Sequence, residues 1–300
     1  MEKKKITVIG SINMDLVTKV SRVPLVGETL IGDSFYTNPG GKGANQAVAA
    51  ARLGARVSMI GCVGDDSFGR QLIANLESQS IDTSKVGIVS DTSTGIASIT
   101  LSGGDNSIIV APGANNLLTP EYLLRHENAI SESECILLQL EIPMETVGLA
   151  ASIAKKHGVR VILNPAPFQP LPEQLLKDAD YLTPNEHEQK QLVLSLDSNL
   201  KQEVLEKCIV TQGPKGVAIH KDGLGEIPGY QVKAIDTTGA GDTFNGALAY
   251  ALSEGMGLKE ACRFANAAAA LSVTKPGAQG GMPSRQEVEA LMKMAGKTRS

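Results

Sequence analysis

Asp236-Thr237-Thr238-Gly239-Ala240-Gly241-Asp242 joins a strand-like run to a helical pattern, and the rest of the chain is organised around it. Upstream, Tyr230 to Ile235 alternates apolar and polar residues with the period of a half-buried strand. Downstream, Phe244, Ala247, Leu248, Ala251 and Leu252 recur at helical spacing and predict an amphipathic helix. A turn in this position leaves the first N–H groups of the helix without intrahelical partners, and Gly239, Ala240 and Gly241 barely cover them. The helix dipole adds about half a positive charge there. Such a turn attracts an anion, a phosphate foremost.

Asp242 has two readings. A carboxylate in the first helical turn is an ordinary N-terminal cap, and beside a phosphate site it is also where a catalytic acid or base would stand. Spacing alone leaves both open. Two familiar phosphate loops are excluded: no Walker A sequence occurs in the chain, and Phe244 stands where a dinucleotide fingerprint needs its third glycine.

The 300 residues, 42% of them hydrophobic, suffice for one large domain or a domain with an insert. The net charge of -4 comes from 28 basic and 32 acidic residues mixed along the chain. No basic stripe results, which argues against nucleic-acid and membrane partners. After Met1-Glu2-Lys3-Lys4-Lys5 the apolar run Ile6 to Ile9 is too short for a signal peptide, and no segment approaches the ~18 apolar residues of a membrane span. Cys62, Cys135, Cys208 and Cys262 lie far apart without zinc-ligand spacing, and read as reduced, buried thiols of a cytoplasmic core. His126, His157, His187 and His220 show no metal or triad spacing, and neither hydrolase elbow nor H-E-x-x-H pair is present. Internal repeats and helix-turn-helix or heptad signals are also lacking.

Ile6 to Gly10 reads as a buried strand, and Ser11-Ile12-Asn13-Met14-Asp15 follows where it would end. Leu16 to Pro39 has only short alternating pieces and reads as a β-rich excursion. Gly40-Gly41-Lys42-Gly43-Ala44-Asn45-Gln46 then opens a helix whose apolar period runs to Gly54. Its glycines suit either close backbone approach to a ligand or a tight turn with Lys42 in solvent. A strand from Val57 to Cys62, a helix started by Asp65 and Asp66, and a hairpin from Thr94 to Val110 around Ser102-Gly103-Gly104-Asp105-Asn106 come next.

From Thr119 onward helices and strands alternate. A helix opens at Thr119-Pro120-Glu121; strands follow at Ile136 to Leu140, Val159 to Leu163, Tyr181 to Thr183 and Cys208 to Thr211, with a helix over Glu145 to His157. This order predicts a parallel sheet covered by helices on both faces, in which ligands bind beyond the carboxyl ends of the strands. Asn13, Glu141, Asn164, Asn185, Glu188, Gly213, Lys215, Asp236 and Asp242 all gather at that edge, so a shared pocket is expected there. Near the end, Ala261, Phe264, Ala265 and Ala268 pattern a helix, Lys275 to Gly281 forms a glycine-rich loop, and Ser284 and Glu287 are spaced as a capping box.

These residues resemble the ribokinase family of carbohydrate kinases over nearly the whole chain. The resemblance rests on Gly10 to Asp15, Gly40 to Ala47, Asn164-Pro165-Ala166-Pro167, Thr183-Pro184-Asn185-Glu186, Asp236 to Leu248 and Gly277-Ala278-Gln279. It implies an α/β fold, a mainly parallel central sheet with helices on both faces, plus a small β-sheet lid. The kinase domain would comprise residues 1–15, 40–93 and 111–300, and the lid residues 16–39 and 94–110. The implied reaction is transfer of the γ-phosphoryl group of MgATP to the 5-hydroxyl of D-ribose, with Asp242 as base and Gly239, Ala240 and Gly241 as the anion hole. Deoxyribose, fructose and nucleosides are rival acceptors, and a non-catalytic sugar-binding protein is the alternative from another class. With no Trp, five Phe and five Tyr, of which Phe35 and Tyr36 fall in the lid, a nucleoside ranks below a free pentose.

By the same resemblance Asn13, Met14, Asp15, Gly41, Lys42, Gly43, Ala44, Asn45, Glu141 and Asp242 would surround the sugar. ATP would fall to Asn185, Thr211, Gln212, Gly213, Pro214, Lys215, Gly216, Gly241 and Asn266, with Glu188 ordering magnesium. Asp236, Thr238, Ser272, Lys275, Gly277 and Gly281 would form a potassium site, and a homodimer would clasp through the lid. Two departures stand out. Gly281 replaces a serine of some members, so only its backbone can contribute, and the segment from Glu188 to Thr211 is shorter than in many, which predicts a trimmed helix beside the nucleotide.

Overall fold

The strands that read as mostly apolar, around Ile6–Ile9, Val57–Val63 and Cys135–Leu138, sit at the centre of a sheet, where both faces must be covered. The computed structural model describes residues 4–103 and 105–298; Met1 to Lys3 of the basic start and Gly104 of the hairpin turn lie outside the described residues. In chain order the strands are β1 (Lys5–Ile9), β2 (Asn13–Lys19), β3 (Ser34–Gly40), β4 (Arg56–Gly64), β5 (Asp82–Val89), β6 (Gly95–Ser102) and β7 (Asp105–Ala111). They continue as β8 (Cys135–Leu138), β9 (Arg160–Leu163), β10 (Tyr181–Leu182), β11 (Ile209–Thr211), β12 (Gly216–Ile219) and β13 (Gly225–Pro228). The helices are α1 (Lys42–Leu53), α2 (Ser67–Ser78), α3 (Pro120–Leu124), α4 (Glu127–Ser131), α5 (Met144–Lys156) and α6 (Glu173–Asp178). After them come α7 (Glu186–Ser195), α8 (Ser198–Glu206), α9 (Ala240–Ser253), α10 (Leu258–Ser272) and α11 (Arg285–Thr298).

Six strands form a parallel sheet in the order β10-β9-β8-β1-β4-β5. Parallel bridges Leu182–Cys208 and Asn185–Thr211 attach the antiparallel sheet β11-β12-β13 to its β10 edge. Alternate residues of one strand feed two cores: Ile6, Val8 and Met59 pack under α1, α2, α9 and α10, whereas Ile9, Ile60 and Cys62 pack under α3 to α8. Burying one side chain such as Phe244 contributes roughly 1.5–3 kcal/mol. The cysteines Cys62, Cys135, Cys208 and Cys262 are all buried and free.

A separate four-stranded sheet, β3-β2-β6-β7, stands over the carboxyl edge. Its β2–β6 pairing is parallel and its other pairings are antiparallel. Only Val17, Ala97 and Ile99 make its small core, and β7 is exposed along its whole length. Asn13 and Asp15 belong to β2 of this sheet rather than to a turn after β1.

Two further readings need correction, and three strands went unread. Tyr230 to Ile235 is not a strand: no ladder forms there, and Tyr230, Gln231, Val232 and Ala234 line a cavity. Helix α9 is not amphipathic, since every residue from Asp242 to Ser253 is buried between α1 and α10. Gly246 permits that closeness, because a Cβ there would lie 2.6 Å from both Ala49 Cβ and Gln46 O. Finally, β5, β12 and β13 were not legible; β5 carries polar residues on an edge, half exposed, where hydrophobic alternation is weak. The segment from Glu188 to Thr211 holds two short helices, α7 and α8. At the other end, Asp66 caps α2 by accepting from Gly69 N at 2.8 Å, and Ser284 with Glu287 closes the capping box before α11.

Candidate active site

Gly239 turns the chain into α9 with φ +76°, a conformation that favours glycine. A Cβ there would also lie 2.7 Å from Ala278 O, so the turn rests directly on the loop after α10. Ala240 N–H reaches back to Thr237 O at 3.3 Å, whereas the N–H groups of Gly241 and Asp242 face no acceptor among the described residues. Gly241 and Asp242 are therefore the residues whose N–H groups this turn leaves available.

Asp242 does not cap the helix. Its carboxylate turns toward α1, where Oδ2 accepts from Asn45 Nδ2 at 3.0 Å and Oδ1 from Gln46 Nε2 at 3.1 Å. Burial pushes its pKa up, against the pull of Lys42 and the two amides. The Lys42 ammonium loses solvation by burial, but the carboxylates of Asp242, Glu141, Glu188 and Asp15 outweigh that loss and raise its pKa. Lys42 is thus a charged group inside the cleft, not a solvated turn residue.

The start of α1 comes close to β1 because its glycines allow it: a Cβ on Gly43 would lie 2.7 Å from Ser11 N. Gly41, with φ +87°, would bring a Cβ to 2.6 Å from Asn13 N. Glu141 Oε2 accepts from Ser11 Oγ at 2.5 Å and from Lys42 N at 3.2 Å. Asn13 Oδ1 accepts from Asn115 Nδ2 at 2.7 Å, which fixes the face its own amide turns to the cleft. Asp15 is pushed up to about 7, first by burial and then by the charges of Glu141 and Asp242, with Lys42 opposing. Met14 and Ala44 are buried in the core.

From Lys42 and Asp242 a cavity of ≈ 530 Å³ runs toward the β11 edge. Asn185, Glu188, Thr211, Gly213, Pro214, Gly216, Gly241 and Asn266 line it, and Val232, Ala234, Ala269 and Val273 give it an apolar wall. Gln212 and Lys215 do not line it; Lys215 pairs instead with Glu186 at 3.4 Å on the surface. Asn185 and Glu188 form a capping box for α7, in which Glu188 Oε2 accepts from Asn185 N at 2.8 Å. Burial raises the pKa of Glu188 despite that bond. Its Oε1 takes no protein donor among the described residues.

Behind the turn, Asp236 Oδ1 accepts from Thr238 N at 2.9 Å and Oδ2 from Gly277 N at 2.8 Å. Burial works against its ionised form, but these N–H groups and the Thr238 hydroxyl prevail and lower its pKa. Gly281 lies against the end of α10, where a Cβ would overlap Ser272 O. The Ser272 hydroxyl is spent on Ala269 O, and Lys275 points to Glu287. Asp236, Thr238, Ser272, Gly277 and Gly281 thus come together, while the Lys275 side chain turns outward.

Several polar residues escaped the sequence reading. Gln46 donates to Asn164 Oδ1 at 3.3 Å as well as to Asp242, and accepts from Gln139 Nε2 at 2.7 Å. Gln279 donates to Asn45 Oδ1 at 3.0 Å, and Asn115 orders Asn13. The one available signal was the Asn45-Gln46 pair beside the small apolar run Ala47 to Ala51. No group of three or more His, Cys, Asp or Glu among the described residues is arranged to hold a metal, and no helix among them is long and apolar enough to cross a membrane.

A family model described as pfkB family carbohydrate kinase matches residues 3–285. Ribokinase from Bacillus subtilis (strain 168) is 49% identical over 293 residues, covering 96% of this chain and 99% of that protein. Among solved structures, ribokinase from Thermotoga maritima superposes with a TM-score of 0.87 at 42% identity, over 96% of this chain and 99% of the other. Arabidopsis thaliana ribokinase complexed with ribose and ATP gives a TM-score of 0.86 at 33% identity, over 97% and 99%.

Proposed function

The chain belongs to the pfkB family of carbohydrate kinases, and from that premise we propose that it transfers the γ-phosphoryl group of ATP to the 5-hydroxyl of D-ribose, yielding ribose 5-phosphate and ADP. The observation that carries this reading is the position of Asp242: buried, free of capping duty, and at the junction between the ≈ 530 Å³ cavity and the Lys42–Glu141 end of the cleft.

Sugar hydroxyls would meet Asn13, Asp15, Lys42, Asn45 and Glu141, with the backbone of Gly41 and Gly43 close by. Nucleotide would fill the cavity, its base against Val232, Ala269 and Val273 and its phosphates toward Gly241. Phosphoryl transfer has a loose transition state, so alignment and charge neutralisation matter most. The Gly241 N–H and the Lys42 ammonium stand where negative charge would grow. Asp242 accepts the hydroxyl proton late in transfer, when even a weak carboxylate base is adequate.

Glu188, which lines the cavity, fits an ordering role toward magnesium and its waters; such an ion would neutralise charge on the phosphate oxygens. Asp236 and the carbonyl-rich loop from Ser272 to Gly281 fit a large monovalent cation such as potassium, which carbonyl oxygens suit. The separate sheets support a two-part division of the chain, with the β3-β2-β6-β7 layer as the lid. Its exposed Phe35, Ile108 and Ile109 support a homodimer through that layer, for which Ile109→Asp should give a monomer by light scattering. The buried free thiols suit the cytoplasm.

The test is ADP release against ribose, 2-deoxyribose, fructose and nucleosides, in potassium and then in sodium. Ribose should be the preferred acceptor. Asp242→Asn should keep fold and ribose binding and lower turnover by about 10²–10⁴-fold; undiminished turnover would discard the assigned base.

A further inference from the structure

An ionised carboxylate only accepts hydrogen bonds, so both amides touching Asp242 have to present N–H groups. That requirement orients every amide behind them. Asn45 turns Nδ2 to Asp242, so its Oδ1 faces away and accepts from Gln279 Nε2 at 3.0 Å. Gln279 in turn directs Oε1 outward, where Asn75 Nδ2 donates at 3.0 Å. A continuous chain of donors therefore runs from α2 through the loop after α10 to the carboxylate.

The loop end of this chain is held firmly. Arg52 donates to the backbone carbonyls of Gln279 and Met282 and, through Nε, to Gln79 Oε1 at 2.8 Å. On the other carboxylate oxygen Gln46 is oriented separately: its Nε2 also donates to Asn164 Oδ1, whose Nδ2 is held by Thr183 O at 3.0 Å, and its Oε1 accepts from Gln139. Asn45 has no such second anchor: among the described residues its side chain bonds only Asp242 and Gln279. Neither Gln279 nor Asn75 lines the cavity.

We propose that Gln279 is a positioning residue for phosphoryl transfer: its side-chain amide selects which end of Asn45 faces Asp242 and thereby aims the carboxylate as an acceptor. This rests on the reading of Asp242 as the base. Without the Gln279 donor, the Asn45 amide is free to turn its carbonyl to Asp242. Oxygen would then face oxygen, and the carboxylate would take up a proton more readily. The other charged groups around Asp242 are Lys42, Glu141, Asp15 and Glu188, and none of them is altered by changing Gln279.

Three variants of the full chain test it: Gln279→Met, which removes the donor at similar volume; Gln279→Glu, which puts an acceptor in its place; and Asn75→Ala, one link further out on a partly exposed position. Both Gln279 variants should lose at least about ten-fold in kcat with little change in KM for ATP, and the acid limb of kcat should move to higher pH. Asn75→Ala should move the same limb in the same direction by less. The carboxyl ¹³C titration of Asp242 in ligand-free protein, assigned by its loss in Asp242→Asn, should shift upward in Gln279→Glu. Wild-type kcat and titration in the Gln279 variants would overturn the proposal, as would a fall in kcat with neither limb nor titration moved, since packing alone would do that. Should Gln279→Glu fail to fold, Asn75→Ala with an unchanged limb is sufficient to overturn it. If Asp242→Asn keeps its turnover, the base assignment fails by itself, and the carboxyl titration still reports whether Gln279 sets the amide.

Discussion

Gln46 Nε2 lies 3.1 Å from Asp242 Oδ1 and 3.3 Å from Asn164 Oδ1, so one amide on α1 ties the start of α9 to the end of β9. Gln46 is wholly buried, and its Oε1 is in turn the acceptor for Gln139. Gln46→Leu would leave the amide groups of Gln139 and Asn164 without this partner, and each buried orphan costs about 1–3 kcal/mol. Thermal melting should show a lowering of about 2–4 °C per kcal/mol, and turnover should fall together with it.

Asp15 sets a pH dependence whose sign follows from its shift. Folding carries its carboxyl from the usual 3.8 up to about 7, so between those values the folded chain holds a proton that the unfolded chain has released. The resulting stabilisation is complete below 3.8 and is lost as pH rises through about 7. Asp15→Asn should therefore melt higher than the parent at pH 8, with the gap closing toward pH 5. Under the proposed function, ribose hydroxyls donate to the ionised carboxylate, so KM for ribose should climb from pH 8 to pH 6 in the parent and stay flat in Asp15→Asn.

Gly281 and Gly148 make a matched pair of opposite sign. At Gly281 a Cβ would overlap Ser272 O, a backbone atom that cannot swing aside, so Gly281→Ala should destabilise by about 1–3 kcal/mol. A serine there brings the same Cβ, so this loop packs more tightly on α10 than a serine would permit. Gly148 lies inside α5 with nothing within 4 Å of the place a methyl group would take, so Gly148→Ala should gain about 0.5–1 kcal/mol. Denaturant melts of the two variants measure both.

Much of this was legible because layered α/β chains announce themselves by alternation, and because strand ends at one edge collect ligands. That rule brought Glu141, Asn185, Glu188 and Asp242 together from the sequence alone. Alternation misread Tyr230 to Ile235, since a period of two does not by itself supply a sheet partner, and here the segment runs along a cavity that Gln231 lines together with its apolar neighbours. Helix α9 looked one-sided because its small residues carry little hydrophobic signal, yet small residues are what allow α1 and α10 to close on it. The amide chain was beyond reach: Asn45 and Gln279 are 234 positions apart, and no spacing rule couples them.

Asp236 links the turn before α9 to the loop after α10, accepting Thr238 N on one oxygen and Gly277 N on the other. Asparagine keeps the shape but has one acceptor oxygen, so Asp236→Asn must set an NH₂ against one of those N–H groups. The Thr238–Gly239 turn and the loop that abuts it at Ala278 would then separate, and the charge that favours a cation would be gone. Turnover in sodium should fall by about ten-fold, as misplacement of an anion-hole amide implies. Under the proposed function potassium raises the rate of the parent above that in sodium, and this gain should be absent in the variant. A titration of rate against potassium chloride at constant ionic strength makes the check, and a variant that still responds to potassium as the parent does would remove Asp236 from the cation site.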